Sequence, residues 1–370
     1  MIFKNANVLA ESFQIQDFQF QEKILALGTS SPEENVQDMS GKYIVPGLID
    51  LHSHGAMGKD ASDGNGEDMD VLSKYYATVG VTACCPTTMT LKEPELSKAV
   101  KVISAYDKPV GAKFLGVYLE GPFFHYDKRG AQSAKNLAEP DYDFFKRLYD
   151  LAEGKIAVLA LAPELEGGLD LVSKASQLCT VSLAHSTADY DCATAAYQGG
   201  AKLATHLFNA MMPFAHRAPG IVGAAYDAGA YGELICDGLH IHPSVVRASF
   251  QLFQEKLCLI SDSLRCAGMP DGEYELGGQP ITKKDGVARL HDGTLAGSSI
   301  GLLDGVKKVI DMGISPERAF YAASTAPAMA LGKESEVGSL AVGKAADFLV
   351  LDKNFDLIST YVDGVKVYEK

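Results

Sequence analysis

Val45-Pro46-Gly47-Leu48-Ile49-Asp50-Leu51-His52-Ser53-His54-Gly55 reads as a buried apolar strand that ends in two imidazoles at i, i+2. Side chains alternate along a strand, so His52 and His54 point to one face and can reach one ion while Ser53 turns away. Neutral imidazole suits zinc, iron, nickel or cobalt, and carboxylates complete such sites. A strand that delivers two ligands at its end needs an architecture that gathers the others around it.

Working outward, the chain repeats one theme to about residue 262: a short apolar run, a polar residue, then a helical pattern. Strands are expected at 43–51, 81–85, 113–119, 156–160, 180–184, 202–205, 233–236 and 257–261. Helical patterns fill the gaps at 68–79, 94–106, 141–153, 189–198 and 243–254, with Asp189 as an N-cap and Pro243 at a first helical position. Two more follow at 301–312 and 315–331, the second starting at Ser315-Pro316-Glu317. Eight strands alternating with helices predict an α/β fold, a (β/α)8 TIM-type barrel. The ends differ: both alternate in short β-like pieces, and Asp363-Gly364 between two such runs signals a hairpin. Neither end can bury a sheet face alone, so they are expected to join into one small β-sandwich. The division is 1–43 and 336–370 for the sandwich and 44–335 for the catalytic barrel.

Composition narrows the function. A formal net charge of −14 speaks against nucleic acid and anionic membranes as partners, since both need basic patches. No run approaches the apolar length of a membrane helix, and Met1 to Val8 shows no secretory pattern. The seven cysteines lack CxxC spacing and read as reduced core thiols. A soluble cytoplasmic protein is the expectation.

The strand ends carry the chemistry. His52 and His54 end the first strand, Glu120 the third, His185 the fifth, His206 the sixth and Asp262 the eighth. Active sites of βα barrels are built on that rim. A single His or Glu there often just satisfies backbone groups, but six on one rim point to a metal site. His185, His206 and Glu120 can hold one divalent ion and leave a position open. His52 and His54 can hold a second, with Glu120 or Asp262 bridging. An ion so held lowers the pKa of water to about 7 to 9. Asp262 is suited to accept the water proton and return it to a leaving group. His125, His216, His242 and His291 lie in loop-like or helix-start contexts and read as solvated or structural, and Cys266 reads as packing.

Pro46 to His54 at the front and Gly338-Ser339-Leu340-Ala341-Val342-Gly343-Lys344-Ala345-Ala346-Asp347 at the back resemble the amidohydrolase superfamily. A denser set is similar to the N-acetylglucosamine-6-phosphate deacetylase family within it: Leu119-Glu120-Gly121-Pro122-Phe123, Lys128-Arg129-Gly130-Ala131-Gln132, Ala184-His185-Ser186, Thr205-His206-Leu207-Phe208-Asn209-Ala210-Met211, Ala218-Pro219-Gly220, Asp237-Gly238-Leu239-His240, Asp262 with Ala267-Gly268, and Leu295-Ala296-Gly297-Ser298. The resemblance spans essentially the whole chain. It implies metal-dependent removal of acetate from an N-acetylated hexosamine phosphate in amino-sugar catabolism, leaving the free amine. It further implies one or two divalent transition ions per subunit (Zn, Fe, Mn or Co), metal on Glu120, His185 and His206, and Asp262 as base and then acid. Gln132, Asn209, Ala210, Arg217 and His240 match positions that meet the sugar phosphate, and in this family the arginine can come from the second subunit of a homodimer. Some members lack the His52 and His54 pair and use one ion, so its presence favours two. Gln132 stands where some members carry a histidine; it can donate an N–H bond but carries no charge. Three other readings stay open: the galacto epimer as substrate, a different amidohydrolase reaction, and a non-catalytic barrel scaffold. Glu120 in the bridging position, where a lysine would stand in many cyclic amide hydrolases, lowers the second.

Overall fold

In the computed structural model, which describes residues 1–28 and 35–370, eight parallel strands follow one another around a barrel. They are Leu48–Ser53, Val81–Thr88, Val117–Glu120, Ile156–Leu161, Thr180–Leu183, Leu203–Ala204, Tyr231–Ile235 and Leu257–Ile260. The seam between the eighth and the first is closed at the rim, where the Asp262 N–H donates to the His52 carbonyl at 2.9 Å and the His54 N–H to the Ser263 carbonyl at 2.9 Å. Both faces of each strand are covered, which is why the strands read as nearly unbroken apolar runs. Ile49, Cys85, Tyr118, Val158, Ala160 and Ile260 fill the interior. Leu48, Val81, Leu119, Leu159, Leu234 and Leu259 face the helices.

The helices start where side chains can satisfy their first N–H groups. Asp141 accepts from Asp143 and Phe144 N–H at 2.8 and 3.1 Å to open Tyr142–Leu151. Asp189 accepts from Cys192 N–H at 2.9 Å to open Tyr190–Gln198, and Pro243 begins Pro243–Phe253 as expected. The long helix expected over 315–331 is two, Pro316–Ala322 and Thr325–Ala330. Pro327 has no N–H to give the Ala323 carbonyl. That carbonyl instead accepts the Ile49 N–H at 2.8 Å and anchors the start of the first barrel strand.

Two expected strands are also divided. The run 43–51 becomes Tyr43–Pro46 in the sheet of the chain ends and Leu48–Ser53 in the barrel, with Gly47 between them. A Cβ at Gly47 would sit 2.2 Å from Thr82 Oγ1, so the crossing needs glycine. The run 113–119 becomes Lys113–Phe114 and Val117–Glu120 around Gly116, whose φ is 146°.

The chain ends do combine. In sheet order, Ile24–Gly28, Phe13–Phe20, Ile2–Leu9, Tyr43–Pro46, Phe348–Leu351, Leu357–Val362 and Val365–Glu369 form one sheet, with Val36–Asp38 beside Ile2–Leu9. Phe20 and Tyr361 are separated by three intervening strands, a span of ~19 Å in a flat sheet. Their rings lie 5.7 Å apart. The sheet is therefore doubled over on itself, and its halves close on Phe3, Phe18, Phe20, Phe348 and Tyr361. After the eighth barrel strand comes an element that the sequence reading did not assign: a three-stranded sheet of Gly272–Leu276, Gln279–Lys284 and Val287–Leu290. Its apolar side, Leu276, Ile281 and Ala288, packs on Met89 and Leu264 at the rim. All seven cysteines are free, and no helix among the described residues is long and apolar enough to cross a membrane.

Candidate metal centre and active site

Three rim residues leave their strands with left-handed backbone: His185 at φ 46°, His206 at 29° and Asp262 at 49°. For non-glycine residues this costs about 1 to 3 kcal/mol each and persists only where the surroundings impose it. Here they do: the His185 carbonyl accepts from His125 N–H at 3.0 Å, the His206 N–H donates to Glu233 Oε2 at 3.3 Å, and the Asp262 carbonyl accepts from Ser298 N–H at 2.7 Å.

Two groups of side chains meet around Glu120. On one side, His52 Nε2 lies 3.3 Å from His54 Nε2, 3.5 Å from Glu120 Oε1 and 3.7 Å from Asp262 Oδ1, and His54 Nε2 lies 3.4 Å from Glu120 Oε2 and 3.3 Å from Asp262 Oδ1. On the other, His185 Nε2 and His206 Nε2 are 3.1 Å apart and lie 3.1 and 3.3 Å from Glu120 Oε1. Ligands at 2.0 to 2.1 Å from a tetrahedral ion are separated by about 3.3 Å along each edge. The donor atoms of His52, His54 and Glu120, and of Glu120, His185 and His206, thus have the spacing that metal ions require. Ser53 is turned away from this cluster, its hydroxyl 2.7 Å from the Tyr76 hydroxyl.

Burial opposes charge on His52, yet the carboxylates around it outweigh burial and push the imidazole pKa up to about 10. Conversely, despite burial, neighbouring imidazoles hold Glu120 well below the usual carboxylate range and Asp262 below it. Buried carboxylates beside imidazoles call for positive charge, which a divalent cation can supply. The donor set therefore fits divalent metal. Two ring orientations are fixed from behind, with Nδ1 of His52 bonded to Glu233 Oε2 at 3.1 Å and Nδ1 of His185 to the Lys128 carbonyl at 2.8 Å. In both rings this leaves Nε2 facing the cluster and available to a metal ion.

Above the cluster lies a cavity of about 250 Å³, lined in part by His54, Glu120, Gln132, His185, His206, Asn209, Ala210, His240 and Asp262. His240 gives its Nδ1 proton to Asp237 Oδ2 at 2.8 Å, which leaves Nε2 free. Asn209 spends its amide protons on the His206 and Leu207 carbonyls at 3.2 and 3.1 Å, holding the turn after the sixth strand. Gln132 is occupied at both ends: its amide donates to Glu120 Oε2, and its oxygen accepts the Thr90 N–H at 2.8 Å. Arg217 is not brought in. It is exposed and lines a separate groove with Tyr190, Met212 and Pro213. Among the described residues, no lysine or arginine lines the cavity.

The remaining histidines behave as expected of structural or solvated groups. His125 caps the short turn Tyr126–Lys128 and His242 the helix Pro243–Phe253, accepting from Asp127 and Ser244 N–H, each at 3.2 Å, while His216 and His291 are exposed. Two acidic residues were missed as individuals, Glu233 behind His52 and Asp237 behind His240. Glu233 had been counted only as strand, and its one visible signal is a carboxylate in the otherwise apolar run Tyr231–Ile235.

The amidohydrolase family matches residues 43–367. An N-acetylglucosamine-6-phosphate deacetylase of Vibrio furnissii is 36% identical over 331 residues, 88% of this chain and 83% of that protein. An N-acetylgalactosamine-6-phosphate deacetylase of Escherichia coli O157:H7 is 34% identical over 335 residues, 89% of each. Among solved structures, the N-acetylglucosamine-6-phosphate deacetylase of Pasteurella multocida superposes with a TM-score of 0.93 at 28% identity, covering 100% of this chain and 99% of that one.

Proposed function

Because the chain belongs to the amidohydrolase family, we propose that it hydrolyses the acetamide of N-acetyl-D-glucosamine 6-phosphate, with water, to D-glucosamine 6-phosphate and acetate. The observation that carries this reading is the meeting of four imidazole nitrogens, Glu120 and Asp262 beneath one cavity. His52, His54, Glu120, His185 and His206 would hold divalent metal, which would supply Lewis acidity toward the acetamide carbonyl and water. Asp262 takes a proton from the attacking water and passes it to the departing sugar nitrogen, so that the C–N bond breaks as the amine becomes neutral. We assign two ions of Zn, Fe, Mn or Co on the ground of the two donor groups sharing Glu120.

Asn209, Ala210 and His240 meet the sugar phosphate from within the chain, and Gln132 orients Glu120 beside the acetamide. A phosphate in a cavity without lysine or arginine needs a cation from outside it. We assign that role to Arg217 of a second copy in a homodimer, supported by the exposed Met212 and Phe214 on the same loop. Free thiols suit a reducing compartment, and we place the enzyme in the cytoplasm.

The test is acetate release from N-acetylglucosamine 6-phosphate, run beside the galacto epimer. Release that a chelator abolishes and added metal restores, faster on the gluco sugar, is expected. Faster turnover of the galacto sugar reassigns the substrate. No release from either sugar with any of the four metals retires the deacetylase reading.

A further inference from the structure

Glu233 lies wholly buried in the seventh barrel strand, in contact with neither lysine nor arginine among the described residues. Its Oε2 accepts from His52 Nδ1 at 3.1 Å and from the His206 main-chain N–H at 3.3 Å. Its Oε1 has no hydrogen-bond partner among the described residues. His52 belongs to one donor group and His206 to the other. A carboxylate in this position is expensive to bury for structural purposes alone, since an apolar side chain would fill the strand without it.

We propose that Glu233 is a positioning residue that couples the two halves of the metal centre. It fixes the His52 tautomer so that Nε2 is the ligand. By holding the His206 N–H, it also keeps that residue in the left-handed turn that carries its ring to Glu120. Its charge matters as well as its shape. Its carboxylate adds to those of Glu120 and Asp262, which lie directly against the imidazole ligands. Removing it takes negative charge from a buried site built for cations, and the ion on the His52 side, whose ligand ring it touches, loses most. The inference rests on the metal-dependent reading given above.

The test is metal content by mass spectrometry and the two dissociation constants from chelator competition, for the wild type, Glu233→Gln and Glu233→Leu, with melting of the metal-free proteins as a check on folding. Glu233→Gln keeps an acceptor oxygen for His52 and His206 but loses the charge. It is expected to bind the ion on the His185 side nearly normally and the other about 10- to 100-fold more weakly. Glu233→Leu, which also frees the His206 N–H, is expected to weaken both ions, the one on the His52 side more, and if it does not fold, Glu233→Gln carries the test alone. Wild-type content and constants in Glu233→Gln, or two tightly held ions in a folded Glu233→Leu, overturn the proposal. A wild-type chain that takes up no metal overturns the metal reading and this proposal with it. Wild-type uptake of a single ion removes the two-ion assignment only, and Glu233 is then judged by the same loss of affinity for that ion.

Discussion

Asp262 is held at the barrel seam by main-chain bonds on both sides, to His52 and to Ser298, so its side chain can be changed with little effect on its position. Asp262→Asn is therefore expected to lose about 10²- to 10⁴-fold in kcat when saturated with metal. Near-normal turnover in a metal-replete sample would remove Asp262 from the proton transfers. Asp237 gives a prediction of a different kind. Burial raises its pKa, but the hydrogen bond and charge of His240 outweigh burial and hold the carboxyl below its ordinary value of 3.8. Folded protein thus binds fewer protons here than unfolded protein does, so the contribution is present above pH 3.8 and is lost as pH falls through the lowered value. Between pH 5 and pH 3 the wild-type Tm should fall more steeply than that of Asp237→Asn; parallel curves would mean that the pair adds nothing. The rim residues were legible because a strand's end is marked by its apolar run. Glu233 and Asp237 were not, because what defines them is a partner that only the closed barrel brings near.

The hairpin of the final strands shows how local chemistry fixes an element. Asp363 and Gly364 have φ of 47° and 72°, the double left-handed turn expected of Asp-Gly. A Cβ on Gly364 would lie 1.7 Å from the Gln21 carbonyl oxygen, so the turn also seats against the other end of the chain. Gly364→Ala is expected to destabilise the protein by at least about 2 kcal/mol, read as a lower denaturant midpoint, and an unchanged midpoint would show that this contact can relax freely. Asp141→Ala, which removes two N-cap bonds, should cost about 1 kcal/mol with an unchanged m-value. Elements of this sort were readable from short patterns. The division at Gly47 was not, since apolar residues run unbroken from one sheet into the other. The sheet of Gly272–Leu276 and Gln279–Lys284 carried its signal in Gly277-Gly278 between alternating runs, but it belongs to no βα repeat and so escaped a reading organised by that repeat.

The eightfold repeat was legible at the scale of the whole molecule because every unit writes the same pattern. How copies of the chain meet was not, since one exposed arginine looks like any other in a sequence. The proposed dimer has a direct test. Chains carrying Asp262→Asn and chains carrying Arg217→Ala are each expected to be nearly inactive alone. Refolded together, they should regain about a quarter of wild-type activity, because half the dimers are mixed and each holds one intact site. No recovery in confirmed mixed dimers would place Arg217 in its own subunit's chemistry or outside it.

The strand Tyr43–Pro46 joins Ile2–Leu9 along one edge and Phe348–Leu351 along the other. On a ribosome adding about 5 to 20 residues per second, about 300 residues separate the making of the strand from the making of that second partner, a wait on the order of 15 to 60 s. For that time one edge of a strand that leads straight into His52 stays open to any other nascent chain. The hazard of edge-to-edge aggregation therefore belongs to translation, and it ends when Phe348–Leu351 has cleared the exit tunnel.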